Sequence, residues 1–359
     1  MRKNKHRLFV IRALAIMVFF AFHLLVGLVF GDTLATQPAS YRFISLDIPT
    51  PGGQLGFTSL ADINEEGEIT GGFTNSNLGP RGYLLDDKFR LTDIQCPRTV
   101  KVEPNAEPQS INKRGEITGF CNTGRISGFF RNKKGKVTIL DFPRSTLTEA
   151  VGINDDGQVV GDYRDSGGTF HGFFWDAGLF LTIDVPFPEA RLTGPNGINN
   201  VGQIVGFYDD NSGGRHGFLF DRGIFISFDF PDSQLTAPTD INDHGQIVGV
   251  YVDSDGLLHG FLLENERFIT IDVPFPAVFT EVSGINNRGQ IVGRYLESNP
   301  DDAINPFLSH GFIATPESEP KSKSQVLVSK SNDFSNFKRW PQNVEELSSS
   351  LAKWSRQLH

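Results

Sequence analysis

Apolar and polar positions along residues 41–315 alternate in short runs, each cut off after four to eight residues by Gly, Pro, Asn or Asp. That period fits half-buried strands joined by tight turns, and no helical spacing competes with it there. The runs recur as a set. A β-rich run ends in Asp and usually Pro, as in "VTILDFP" and "FITIDVP". It is followed by a run entering Ile-Asn, a Gln-Ile-Val-Gly-like run, a polar turn and a Gly-Phe run. Each set therefore predicts about four short strands.

The twelve residues "GINNVGQIVGFY" (197–208) return nearly unchanged as "GINNRGQIVGRY" (284–295). Weaker copies are "DINEEGEITGGF" (62–73), "SINKRGEITGFC" (110–121), "GINDDGQVVGDY" (152–163) and "DINDHGQIVGVY" (240–251), which makes six. Their shared glycines, Gly67, Gly115, Gly157, Gly202, Gly245 and Gly289, are spaced by 48, 42, 45, 43 and 44 residues. Nearly constant spacing means one structural unit repeated. Asn at the first position of a type I turn caps the backbone, and Gly at the fourth takes positive φ without steric cost. Asn64, Asn112, Asn154, Asn199, Asn242 and Asn286 are accordingly read as hairpin turn formers rather than catalytic groups. Four strands in about 45 residues is the size of a propeller blade. The expected fold is all-β, a six-bladed β-propeller over 41–315. A β-solenoid is the alternative, less favoured because no distinctive end caps are written in the chain.

The pattern G-I-N-x-x-G-Q-I-V-G, an aromatic, a polar turn and then His-Gly-Phe resembles the HAF-type extracellular repeat, here with His-Gly-Phe in place of His-Ala-Phe. The likeness runs from residue 43 to about 314 and implies an exported repeat protein, with nothing specific about activity. The first two units depart from it, with Arg81 and Ser127 where His171, His216, His259 and His310 stand later.

Outside the repeats, "MRKNKHRLFVIR" is basic and residues 13–31 are apolar apart from His23, the pattern of an export signal. Residues 1–31 are read as a signal peptide cut after Gly31, with an uncleaved signal anchor as the alternative; both put the repeats outside the cytoplasm. Residues 32–40 form a short linker. Residues 316–339 are Ser- and Lys-rich and expected to be a flexible linker. In 340–359, Val344, Leu347, Leu351, Trp354 and Leu358 make one stripe of an amphipathic helix, with Asn343 and Glu346 as a cap pair. The two cysteines, Cys96 and Cys121, both fall in the second unit, so either an intra-unit disulfide or two buried thiols fits.

Charge changes the picture only when divided. The chain carries −9; removing the +5 of residues 1–12 and the +2 of residues 316–359 leaves −16 on 13–315. Within that acidic body residues 88–136 hold eleven Lys and Arg against four Asp and Glu. This basic second unit, with Lys113, Arg114, Arg131, Lys133, Lys134 and Lys136, is either a solvated edge or a docking patch for an anionic polysaccharide, lipid head groups or a surface protein. Overall acidity and the export signal disfavour nucleic acid.

A feature present in every unit is scaffold, so function belongs in what differs between units. Asp47, Asp141, Asp184, Asp229 and Asp272 recur at the end of the Asp-Pro run, with Asp93 near that point in the second unit. They cap turns or, alternatively, ring a channel mouth. The repeated histidines fit a bond to a neighbouring blade, with a metal-binding His ring as the weaker option. Phe187 and Phe275, each between prolines in "VPFP", either pack under a loop or stack on a sugar. "RDSGG", "DDNSGG" and "DSDG" hold carboxylates at a spacing calcium accepts, without a full calcium loop, so no cofactor or metal is expected and calcium stays a minor alternative. Signatures of nucleophilic, zinc, phosphate-binding and redox enzymes are absent. The expected function is a binding or structural module. The alternative is an extracytoplasmic carbohydrate-active enzyme with carboxylates at the channel mouth, favoured if one-off polar residues gather there.

Overall fold

The computed structural model describes residues 40–48, 57–75, 79–97, 105–122, 124–300, 306–317 and 337–341. The first strand of the repeat region, β1 (Tyr41–Leu46), does not start the first blade. Each blade is a four-stranded antiparallel meander led by the strand that enters Ile-Asn. These leading strands are β2 (Thr58–Ile63), β6 (Ala106–Ile111), β10 (Leu147–Ile153), β14 (Ala190–Ile198), β18 (Leu235–Ile241) and β22 (Phe279–Ile285). The Ile-Val-Gly runs supply β3 (Ile69–Asn75), β7 (Ile117–Asn122), β11 (Val159–Arg164), β15 (Ile204–Asp210), β19 (Ile247–Val252) and β23 (Ile291–Ser298). The Gly-Phe runs supply β4 (Gly79–Leu85), β8 (Ile126–Arg131), β12 (Phe170–Asp176), β16 (Arg215–Asp221), β20 (Leu258–Glu264) and β24 (Phe307–Pro316). The fourth strands of blades 1 to 5 are β5 (Leu91–Ile94), β9 (Val137–Leu140), β13 (Leu179–Thr182), β17 (Ile224–Phe228) and β21 (Arg267–Ile271).

Blade 6 is completed by the other end of the region: β1 pairs antiparallel with β24, from Tyr41 opposite Pro316 to Leu46 opposite Gly311. The Asp-Pro run that opens each sequence unit therefore closes the preceding blade. The leading strands neighbour one another in the cycle β2, β6, β10, β14, β18, β22 and back to β2. The fold is a closed six-bladed β-propeller, and the solenoid is excluded because its first and last units would not touch.

Two glycines per blade explain the close packing. In every blade the leading strand has a bulge before its Ile, for example between Ala150 and Gly152. A β-carbon on the Gly opposite, such as Gly161, would run into the Glu149 carbonyl of that bulged strand. The Gly of His-Gly-Phe lies against the next blade: a β-carbon at Gly172 would sit 2.8 Å from Pro195 Cγ, and one at Gly217 3.0 Å from Pro238 Cγ. Pro108, Pro195 and Pro238 all stand at these bulges, where strand proline is tolerated. The core lies between blades. Phe129, Phe173, Phe218, Phe261 and Phe312, from the Gly-Phe runs, are fully buried, with Tyr83 in that place in blade 1.

Cys96 and Cys121 form a disulfide with their Cα atoms 6.0 Å apart, inside the blade 2 core with Ile117 and Phe129. Most of the expected C-terminal linker and helix lies outside the described residues, as do residues 1–39. At the junction of linker and helix, β25 (Phe337–Pro341) pairs antiparallel with β17 as a fifth strand on blade 4. Among the described residues no helix is long and apolar enough to cross a membrane.

Candidate functional site

The Asn-x-x-Gly turns gather around the channel axis. Their glycines have φ between 70° and 82°, as the turn requires. Each Asn is buried and uses its whole amide. In blade 4, Asn199 Oδ1 accepts from the backbone N–H of Val201 (3.2 Å) and Gln203 (2.9 Å). Its Nδ2 donates to Gln203 Oε1 (2.8 Å) and to the carbonyl oxygen of Asn242 in the next blade (3.0 Å). The cross-blade bond repeats from Asn64 to Asn112, Asn112 to Asn154, Asn154 to Asn199, Asn242 to Asn286 and Asn286 back to Asn64, at 3.0–3.2 Å. The turn formers are thus also a closed hydrogen-bonded ring, a role that local sequence does not show.

The following residues make a second, incomplete ring. The backbone N–H of Lys113, Asp155, Asn200, Asp243 and Asn287 each donates to the side chain of its successor, Asp155, Asn200, Asp243, Asn287 and Glu65 respectively, at 2.6–3.0 Å. The sixth bond is missing because an ammonium at Lys113 cannot accept one. Lys113 Nζ pairs instead with Asp155 (3.0 Å), whose hydrogen bond and charge hold the lysine pKa above its ordinary value. This end of the channel is narrow, a cavity of about 70 Å³.

The opposite end opens into a funnel of about 570 Å³. Its polar lining comes from positions that differ from blade to blade, including Ser59, Gln109, Asn196, Thr239, Ser283 and the Glu281–Arg294 pair. Asn196 and Thr239 spend hydrogen bonds on the next blade, to the carbonyls of Pro238 (2.7 Å) and Val282 (3.1 Å). Between funnel and ring lie Asp62 and Asp240, which line both cavities. Burial pushes Asp62 up to about 6, against hydrogen bonds from Ile111 N (2.9 Å), Ser110 Oγ (2.7 Å) and Ile63 N (2.7 Å) that pull it down. Burial and then the Asp62 carboxyl raise Asp240 well above the carboxylate range, opposed by bonds from Ile285 N (2.9 Å) and Ile241 N (2.8 Å). In blades 3, 4 and 6 this position is Gly152, Gly197 and Gly284; a β-carbon at Gly284 would meet the Asp62 backbone. Both acids read in sequence as variants of a Gly position, and only the closed ring sets them in one channel.

The recurring Asp residues do not ring a channel mouth. They stand at the fourth strands, where Asp184, Asp229, Asp272 and Asp47 accept from Nδ1 of His171, His216, His259 and His310 at 2.8–3.0 Å. The histidines therefore bond within their own blade, not to a neighbour; His310–Asp47 ties together the two ends of the propeller region. Each imidazole also stacks on the Tyr of the adjacent strand, with ring centroids 5.0–5.3 Å apart. Where His is missing, Arg81 pairs with Asp93 (3.3 Å) and Arg125 with Asp141. Asp165, Asp210 and Asp253, the carboxylates of the calcium-like turns, cap those turns and face His171, His216 and His259. Among the described residues no group of three or more His, Cys, Asp or Glu side chains is placed to hold a metal ion.

Phe187 is buried and packs on Tyr208, with centroids 5.0 Å apart, and Phe275 packs half-buried on Tyr295 (5.4 Å). The sugar-stacking reading of Phe187 fails because its faces are already covered. The basic residues of blade 2 are not drawn into the funnel. Lys113 belongs to the narrow end, Arg114 pairs with Glu116 (2.8 Å), and Arg131 is half-buried. Lys133, Lys134 and Lys136 lie exposed around the β8–β9 turn.

No family model matches this sequence, and no curated protein does. Solved structures do. TolB from Acinetobacter baumannii is similar with a TM-score of 0.51 and 12% identity over 70% of this chain. This chain spans 64% of the TolB chain's length. An Aleuria aurantia lectin solved with α-methyl-L-fucoside matches with a TM-score of 0.42 and 13% identity, over 74% of this chain and 97% of the lectin. A gluconolactonase from Xanthomonas campestris matches at 0.45 and 10%, over 80% and 93%. At such identities the TolB likeness speaks for the propeller alone, and the other two carry no argument.

Proposed function

We propose that the propeller is an exported, non-enzymatic binding module that takes a small polar ligand in the channel funnel. One observation carries this reading: the residues repeated in all blades are consumed by scaffold bonds, whereas those that differ between blades line one cavity of about 570 Å³. That volume lies within the roughly 300–1,000 Å³ of small-molecule sites. Export is supported by the basic and then apolar start of the chain and by the Cys96–Cys121 disulfide, a bond that persists outside reducing compartments.

The gathering of one-off polar groups at one mouth, with two raised carboxyls at its floor, also favours the second reading, a carbohydrate-active enzyme using Asp62 and Asp240. The binding reading is preferred because both carboxyls already accept backbone N–H groups, which hold them in place as structural braces. Calorimetry and a hydrolysis assay on the purified full chain, over a panel of glycans and amino acids, separate the two. Saturable binding without turnover, abolished by Ser283→Phe in the funnel wall, is expected. Turnover that disappears in Asp62→Asn would establish the enzyme, and failure of every ligand to bind would end the funnel reading.

A further inference from the structure

The funnel is lopsided. At the centre of the second strand the other five blades carry Phe120, Asp162, Phe207, Val250 and Arg294, whereas blade 1 has Gly72. Its partner on the leading strand, Ser59, is small as well. Among the described residues a β-carbon at Gly72 would meet only the Arg81 carbonyl oxygen, at 3.7 Å, so the missing side chain leaves space over blade 1 that they do not fill. Phe57, Arg81, Glu107, Glu281 and Arg294 border that space.

Phe57 keeps 40% of its surface exposed, although its carbonyl is fixed by the Thr74 N–H (2.9 Å). The Arg294 guanidinium lies 5.0 Å from the centre of its ring and donates to Glu281 Oε2 from Nε (2.9 Å) and Nη2 (2.6 Å). Arg81 pairs with Asp93 through Nη1, and its buried Nε has no hydrogen-bond partner among the described residues. The recess thus offers an aromatic surface beside donors and acceptors whose charges are already matched.

We infer that this recess over blade 1 binds one ring of a neutral saccharide, its apolar face on Phe57 and its hydroxyls on Arg81, Arg294 and Glu281; the inference rests on the funnel being the ligand site. Hydroxyls both donate and accept, so they use the free valences of the Arg294–Glu281 pair without breaking it. A carboxylated or aminated ligand has to compete with an internal partner for either charge. The Glu107 carboxyl on the same border repels an anion when it is ionised.

The test is calorimetry on the full chain with neutral mono- and disaccharides beside uronic acids, amino sugars and free amino acids. Neutral sugars are expected to bind best. Gly72→Phe, which copies blades 2 and 4, removes binding while leaving the melting temperature in place, and Phe57→Ala weakens it at least about tenfold. Binding that survives both substitutions, or a preference for the charged ligands, overturns the saccharide recess and leaves the funnel reading standing. Absence of binding by every class takes both down.

Discussion

Replacing Asn199 by Ala tests whether the amide ring closes the propeller. The change removes four hydrogen bonds at a site that is 3% exposed: two accepted from Val201 and Gln203, one donated to Gln203 and one donated across to Asn242. At a net ~1 kcal/mol per bond the loss is about 4 kcal/mol. It is moderated because the Asn242 carbonyl still accepts from Gly245 N (3.0 Å) and because Val201 reaches water. A net loss of about 3 kcal/mol is the working figure, to be read from urea unfolding of the full chain. Asn199→Asp separates the turn from the ring. It keeps both accepted bonds, but its second oxygen faces the Asn242 carbonyl and Gln203 Oε1, both acceptors. Ionised, it is repelled there; protonated, it donates one bond. Its folded pKa is therefore raised, so this stability is present at low pH and lost as pH rises through the folded value. Asn199→Asp should be clearly weaker than the parent at pH 7.5 and close most of that gap near pH 4. A loss below about 1 kcal/mol for Asn199→Ala, or an Asn199→Asp defect independent of pH, would refute the ring as a stabilising element.

Gly172→Ala should cost about 1–3 kcal/mol or more, since its methyl meets Pro195 and the Ile183 carbonyl, while Gly72→Ala stays within about 0.5 kcal/mol of the parent; equal unfolding midpoints for the two would contradict the packing account. Reducing or removing the disulfide, which spans 25 residues, should cost about 3 kcal/mol in denaturant unfolding, and no change on adding reductant would count against it. Stability should fall as pH rises from 6 to 9. The Asp229 hydrogen bond raises His216; His259 is raised by Asp272 and Asp253 in spite of burial; burial and then Glu149 push Asp162 up to about 8. All three bind protons more tightly when folded, so their contribution is complete below the unfolded values and disappears through the folded ones. A melting temperature that is flat or rising over that range is the contrary result.

How much of this was legible follows from the range of each interaction. The turn at Asn154 and Gly157 needs only neighbours in sequence, and six copies at nearly constant spacing disclose the blade count. The assignment of strands to blades was not legible, because "FISLDIP" has the same local pattern whether it opens one sheet or closes another. Gly172 reads only as part of a Gly-Phe strand run until Pro195, 23 positions on, is placed against it. Gly72 was invisible as a pocket former, since an absent side chain gives no pattern of its own.

The sequence by itself determined the all-β repeat, the hairpin turns and the number of units, because alternation and turn chemistry act within a few residues. Only the tertiary structure decided that β1 completes blade 6, that the turn asparagines bond around the axis, that His pairs with Asp, and that Asp62 and Asp240 share a channel. Those outcomes join residues some 13 to 275 positions apart, and ring closure brings the most distant of them together.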